Sequence, residues 1–203
     1  MKRVNPDQVS LFRVPLRCGM APEIGCGSLA RPLLIALERT AGITEAWLNQ
    51  AGTLLAVVGS KNFTDERRAQ LVKAALEAED IIPEELRGQA RAAALEDFVV
   101  CADWLRGTDV DQLSSREACI IGLRLVKRLQ TKTTVSAEVA HSLEAAITAF
   151  FKQRFLRDRI QPEQVNHSGE QLLNMATAYL DDQAIGAFAN ALEEGYRPGP
   201  GES

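Results

Sequence analysis

The stretch ITEAWLNQAGTLLAVV, Ile43–Val58, carries the reading of the fold. Two apolar runs, Ile43–Asn49 and Thr53–Val58, flank Gln50-Ala51-Gly52, and two such runs around a glycine-containing turn read as a β-hairpin. Upstream, Leu33, Leu34 and Leu37 recur at helical spacing within Leu29–Thr40, and Gly42 marks the stop. Pro32 lies early in that helix, where a missing N–H is tolerated. Further upstream, Val9–Arg17 contains Leu11, Phe12, Val14 and Leu16 and reads as a strand, with Pro15 marking an edge or bulge. Downstream, Thr64 caps a helix that carries Asp65 and Glu66 in its first turn and runs to about Ala78. The order is β-α-β-β-α, and a short strand at Ile81-Ile82, before Pro83, completes a ferredoxin-like split βαβ unit over residues 9–82.

The period-two pattern ends there, and residues 84–195 are expected to form an all-helical domain. Leu86, Ala90, Ala94, Cys101 and Leu105 mark one seam, with Phe98 and Trp104 adjoining and Gly107 as its end. Ser114-Ser115-Arg116-Glu117 reads as a capping box before Ala118, Ile121, Leu125 and Leu129. Val135-Ser136 starts a helix bearing Val139, Leu143, Ile147, Phe150 and Phe151, and two shorter helices are expected in Ser168–Leu180 and Asp182–Glu194. Each apolar face needs a partner, so the helices pack on one another, and self-association into a homo-oligomer is compatible with them. Arg197–Ser203 is rich in Pro and Gly, and residues 196–203 are expected to be a disordered tail. The predicted class is therefore α+β: a ferredoxin-like split βαβ domain, then an all-helical one.

The chain has 203 residues, 46% hydrophobic and 25% charged, which suits a globular protein that buries a core. A net charge of −4 gives no electrostatic reason to expect nucleic acid or an anionic membrane as partner. Arg124, Lys127 and Arg128 read as the wet side of a helix. The polar stretch Met1–Ser10 has no apolar core of a secretory signal, and the longest apolar runs are too short to span a bilayer. The expected location is the cytoplasm, where the four cysteines stay reduced as thiols or metal ligands.

Two of those cysteines, Cys18 and Cys26, bracket the loop RCGMAPEIGCGS, Arg17–Ser28, between the first strand and the first helix. Glycines let such a loop turn tightly. A cysteine just before a helix feels the positive end of its dipole, which favours the thiolate, the ligand that Cu(I), Zn(II) and Hg(II) prefer. Cys26 is therefore a candidate ligand or nucleophile, with Cys18 placed to meet it across the loop. The plainer reading of both is as small core residues.

The segment resembles the heavy-metal-associated domain of copper chaperones and soft-metal P-type ATPases. Ile24-Gly25-Cys26-Gly27-Ser28-Leu29 falls without gaps on that family's Met-x-Cys-x-x-Cys, and Ala36-Leu37 and Gly42-Ile43 fall on its later Ala-Leu and Gly-Val positions. The hairpin and second helix follow in the family's order, over residues 9–82. The resemblance implies a small domain that binds a soft metal ion such as Cu(I) transiently, or one whose fold is kept as a surface for another protein. The departure is that Cys26 takes the first cysteine position while Leu29 stands at the second, so the Cys-x-x-Cys pair is absent. Anchoring Gly19-Met20 on the family's Gly-Met makes Cys26 the second cysteine but puts Pro22 where the first should be.

Three classes of function follow. The leading one is a binding protein whose metal ligands are Cys18 and Cys26, or whose fold is kept as an interaction surface. The second is a thiol redox enzyme or sensor in which Cys26 attacks and Cys18 resolves. The third is a regulatory partner protein acting through its helical half. Cys101 and Cys119 read as core residues on helix faces, His141 as a hydrogen-bonded helix residue, His167 as an exposed residue between helices, and Glu23 as a solvated loop acid. Asp109, Asp111, Asp181 and Asp182 read as turn and cap residues. No phosphate-binding loop or nucleophile elbow is present in the sequence, and no catalytic constellation is predicted.

Overall fold

The computed structural model describes residues 4–158 and 168–202. It is a mixed helix and strand structure that divides into two compact units, Met1–Cys18 with Pro22–Leu113 and Gly19–Ala21 with Ser114–Ser203. The first unit holds five strands: β1 (Val9–Arg13), β2 (Ile43–Asn49), β3 (Leu54–Gly59), β4 (Glu84–Glu85) and β5 (Trp104–Arg106). Between them lie α1 (Gly27–Arg39), α2 (Asp65–Glu77) and α3 (Gly88–Val100). The strands form one sheet in the order β4-β1-β3-β2-β5, and every neighbouring pair is antiparallel.

The sheet is covered on both faces, which is why β1 and β3 are buried along nearly their whole length rather than at alternate positions. Val9, Leu11, Ala56 and Val58 form one core with Leu86, Ala94, Phe98 and Trp104, under α3. Successive strand side chains point to opposite faces, so Ser10 lies on the other side, against α2. There the hydroxyl of Ser10 donates to Asp65 at 2.7 Å and accepts from Nε of Arg68 at 2.7 Å. Arg68 is fully buried, and Gly59 leaves it room: a Cβ at that glycine would stand 2.8 Å from the Arg68 side chain. A buried guanidinium is tolerated only when paired, and Asp65 at 2.8 Å and the carbonyl of Asp7 at 3.2 Å supply the pairing.

The hairpin forms where expected, as does α2 with Thr64 accepting from the N–H of Arg67. Four expectations need correction. The strand placed at Ile81-Ile82 forms instead at Glu84–Glu85, opposite Phe12 and Arg13. The end of α2 consumes the intervening residues: Asp80 adopts a left-handed φ of 56°, and the N–H of Ile81 closes onto the carbonyl of Leu76 at 2.9 Å. Ile82 is left 84% exposed, and Pro83 has no N–H to pair. Residues 84–195 are also not wholly helical. Helix α3 ends at Val100, and Trp104–Arg106 turn into a strand on the edge of β2, with the Trp104 indole donating to Asp97 at 2.8 Å.

The third correction concerns the capping box at Ser114. Helix α4 (Asp111–Lys132) starts three residues earlier, off a 3₁₀ turn at Gly107–Val110, and Ser114 is buried inside it. This helix begins in the first unit and continues into the second, where it is joined by α5 (Ala137–Gln153), α6 (Gly169–Ala176) and α7 (Asp182–Glu193). The expected stripes are buried: Ala118, Ile121, Leu125 and Leu129 on α4, and Leu143, Ile147 and Phe151 on α5. Ser136 and Asp181 cap α5 and α7 by accepting from Val139 and Ala184. The fourth correction is that Arg124 and Arg128 are not on the wet side. They are 7% and 4% exposed and hold the segment after α7, so Tyr196–Glu202, read as a disordered tail, are engaged within the second unit. His167 lies outside the described residues. No helix among them is long and apolar enough to cross a membrane.

The core under α3 gives a direct check. Phe98 is fully buried and meets Trp104 and Trp47 edge-on, with centroids 5.0 and 6.0 Å away. Phe98→Ala should cost about 3–5 kcal/mol in a urea titration. A cost under about 1 kcal/mol, the level of an ordinary surface change, would mean that α3 does not pack on the sheet.

Candidate functional site

The loop after β1 continues in extended form and alternates: Val14, Leu16, Cys18 and Met20 are buried, while Pro15, Arg17 and Gly19 are exposed. The chain then returns and pairs with itself. Arg17 stands opposite Gly25, the N–H of Cys18 donates to the carbonyl of Ile24 at 2.9 Å, and that of Cys26 to the carbonyl of Leu16 at 2.7 Å. In this antiparallel register Leu16, Cys18, Ile24 and Cys26 share one face, and Cys18 and Cys26 are diagonal neighbours on it. That relation explains why thiols eight positions apart in sequence meet, and why each is only 1% exposed.

The hairpin turn holds the loop in place. The N–H of Gly25 donates to Gln50 at 2.7 Å, and that of Leu16 to Gly52 at 2.9 Å. Gly25 and Gly52 touch backbone to backbone. A Cβ on Gly52 would lie 2.3 Å from the carbonyl oxygen of Leu16 and 2.5 Å from Cα of Gly25, and the φ of +68° already favours glycine.

Cys26 is also the N-cap residue of α1. Its thiol is pulled from 9.0 down to about 6, chiefly by the hydrogen bond from the Cys18 thiol. Burial opposes this, and the Ser28 hydroxyl, 3.3 Å from the sulfur, then reinforces it. The N–H groups of Leu29 and Ser28 add to it. Neither amide makes a formed capping bond to the side chain, so they act as dipoles at the helix N-terminus. The bond from the Cys18 thiol and the start of α1 thus favour the thiolate form of Cys26 within a buried pair.

The two residues singled out in the sequence are thus brought together, and the others are not. Cys101 is half-buried at the end of α3, where its sulfur accepts from the N–H of Asp103 at 3.4 Å. Cys119, expected in the core, is exposed, and Leu123 on the same face is 42% exposed, although Val126 is buried at 3%, because the buried stripe of α4 runs through Ala118, Ile121 and Leu125. His141 and Glu23 are exposed. Among the described residues, no group of three or more His, Cys, Asp or Glu side chains could hold a metal ion together. The sequence reading missed Ser28, although a hydroxyl two residues into a helix that begins at a cysteine is a visible signal. It also missed Gly52, whose partner Gly25 lies on a separate element.

No known protein family matches the chain, and no curated protein or solved structure matches it either.

The thiol pair predicts a pH signature. The lowered thiol of Cys26 favours the folded state, and this contribution grows from pH about 6 to about 9 and is lost as pH falls through 6. Thiolate absorbance of the native protein should therefore show a step centred near 6. The step should vanish in Cys26→Ser and move upward in Cys18→Ala, which removes the donor. A parent protein whose first thiol titrates near 9 would show that the sulfurs do not share a proton.

Proposed function

We propose that the first unit is a ferredoxin-like split βαβ domain of degenerate heavy-metal-associated type, and that Cys18 and Cys26 take up a soft ion of low coordination number such as Cu(I). The observation that carries this reading is the pair of buried thiols in hydrogen-bond contact at the N-terminus of α1. The strand order β4-β1-β3-β2 supports the topology, with β5 an addition on the β2 edge. Two sulfurs suit a linear ion, whereas zinc takes about four ligands. The N-terminus of α1 helps to hold the negative charge of a bis-thiolate complex. Cys18 and Cys26 are each 1% exposed, which suits a small ion passed through a brief opening of the loop better than a bulky disulfide substrate.

The hydrogen bond between the thiols favours one second reading, a redox sensor. A peroxide would oxidise the Cys26 thiolate to a sulfenic acid, and Cys18 would displace hydroxide from that sulfur to form a disulfide, with water released on protonation. A disulfide needs Cα atoms within about 7 Å, close to the limit of roughly 7–8 Å for diagonal neighbours, so oxidation would draw the loop strands together.

Titration with Cu(I) against a strong competing chelator separates the readings. Cys18→Ser and Cys26→Ser should each weaken binding at least about tenfold, equivalent to about 1.4 kcal/mol, while Cys101→Ser and Cys119→Ser leave it unchanged. Equal affinity in the parent and Cys26→Ser removes the metal reading. A Cys18–Cys26 disulfide formed under mild peroxide, in a protein that does not hold Cu(I), would install the redox reading in its place.

A further inference from the structure

Helix α4 places Arg124 and Arg128 one turn apart, buried to 7% and 4% exposure, although arginines are almost never fully buried unless paired. Their placement follows from one stretch of chain after α7. Nε and Nη2 of Arg128 donate to the two carboxylate oxygens of Glu202 at 2.9 and 2.6 Å, the forked arrangement that makes guanidinium–carboxylate recognition specific. The same guanidinium donates to the carbonyls of Arg197 at 2.8 Å and Gly195 at 2.5 Å. Nη1 of Arg124 donates to the carbonyl of Tyr196 at 2.6 Å, as well as to that of Met20 at 2.7 Å.

The stretch Gly195–Glu202 has the form of a bound peptide. It continues neither helix nor strand. Tyr196 is its anchor, 4% exposed, with its ring edge-on to Phe151 at 5.5 Å. Glu202 folds back so that Oε2 accepts from the N–H of Gly199 at 2.8 Å, closing a turn across Pro198-Gly199-Pro200-Gly201. An aromatic anchor and a desolvated arginine pair are the usual energetic centres of a recognition surface.

We infer that α4 and α5 form a recognition site for a glycine- and proline-rich peptide turn carrying an aromatic anchor and a carboxylate, and that Gly195–Glu202 occupy it as the chain's own ligand. The receptor half is carried by two long helices, both arginines on α4 and Phe151 on α5. The ligand half follows α7 and is seated on them by its own hydrogen bonds and ring contact. Tethering gives the resident segment an effective concentration on the order of millimolar, so a competing peptide enters when the resident carboxylate is removed. The occupant in trans is a second copy of this chain, whose own Gly195–Glu202 carry the same aromatic anchor, turn and carboxylate.

The test uses the 203-residue chain and a fluorescent peptide of residues 194–202, read by anisotropy. Glu202→Gln should bind the peptide at least about tenfold more tightly than the parent does. Adding Arg128→Lys, which cannot fork onto the carboxylate, should remove that gain. A peptide with glutamine in place of its own Glu202 should not bind. Far-ultraviolet circular dichroism checks that each variant keeps its helices, and Glu202→Asp, which keeps the charge but shortens the reach, replaces Glu202→Gln if the latter unfolds. Equal binding by the parent and the folded Glu202 variant, or binding indifferent to the peptide carboxylate, overturns the inference and leaves the segment as packing.

Discussion

The contact between Gly25 and Gly52 is the constraint on which the thiol site depends. Two backbones meet there with no side chain between them, and the amide of Gly25 is spent on Gln50 of the same turn. The hairpin formed by β2 and β3 thereby decides where the loop after β1 must lie. Once the loop is seated, its short antiparallel bridge puts Cys18 and Cys26 on one face, and the start of α1 places an N-terminus under the second of them. A methyl group at position 52 would meet backbone on both sides, which cannot move out of the way as a flexible side chain can. The chemistry of the sulfurs is thus a consequence of a turn that carries no sulfur.

The same logic recurs where charge is buried. Arg68 in the first unit and Arg128 in the second are both out of water: Arg68 is held by the Asp65 carboxylate, the Ser10 hydroxyl and the Asp7 carbonyl, and Arg128 by the carboxylates of Glu202 and Glu194 and the carbonyls of Gly195 and Arg197. Paired in this way a buried guanidinium is tolerated, and removing its partner leaves an uncompensated charge that costs several kcal/mol. The carboxylate of Glu202 is held down to about 2 by its bond to Arg128, then by the N–H of Gly199 and the charges of Arg128 and Arg124, so the clasp stays ionised through the physiological range. These pairs give each unit a specific arrangement that apolar packing alone does not demand.

Much of the fold was legible because it is written in local periodicity. The hairpin, α1, α2, and the stripes Ile121–Leu125–Leu129 and Leu143–Ile147–Phe151 all follow from spacing within a few turns. The edge strands were not legible. Glu84–Glu85 is two residues long and Trp104–Arg106 three, and each is defined by a neighbour far away in sequence rather than by its own pattern. Arg124 and Arg128 were misread for the same reason: their residue type says water, and the carboxylate that buries Arg128 lies 74 positions later. At the site, the two thiols and the helix start could be read, and the alternation Val14-Leu16-Cys18-Met20 was present in the sequence. Their meeting could not, since it rests on Gly52, which belongs to a different element.

The metal reading proposed for Cys18 and Cys26 rests on two sulfurs and one helix N-terminus, and among the described residues no group of three or more His, Cys, Asp or Glu side chains could hold an ion, so the coordination number is what tests it. The most direct test is X-ray absorption at the copper edge of the 203-residue chain loaded with one equivalent of Cu(I). The account predicts a first shell of two sulfur atoms, lost when Cys18 and Cys26 are alkylated beforehand. A shell with three or more ligands, or one containing nitrogen, or one that survives alkylation of those two cysteines, would contradict it.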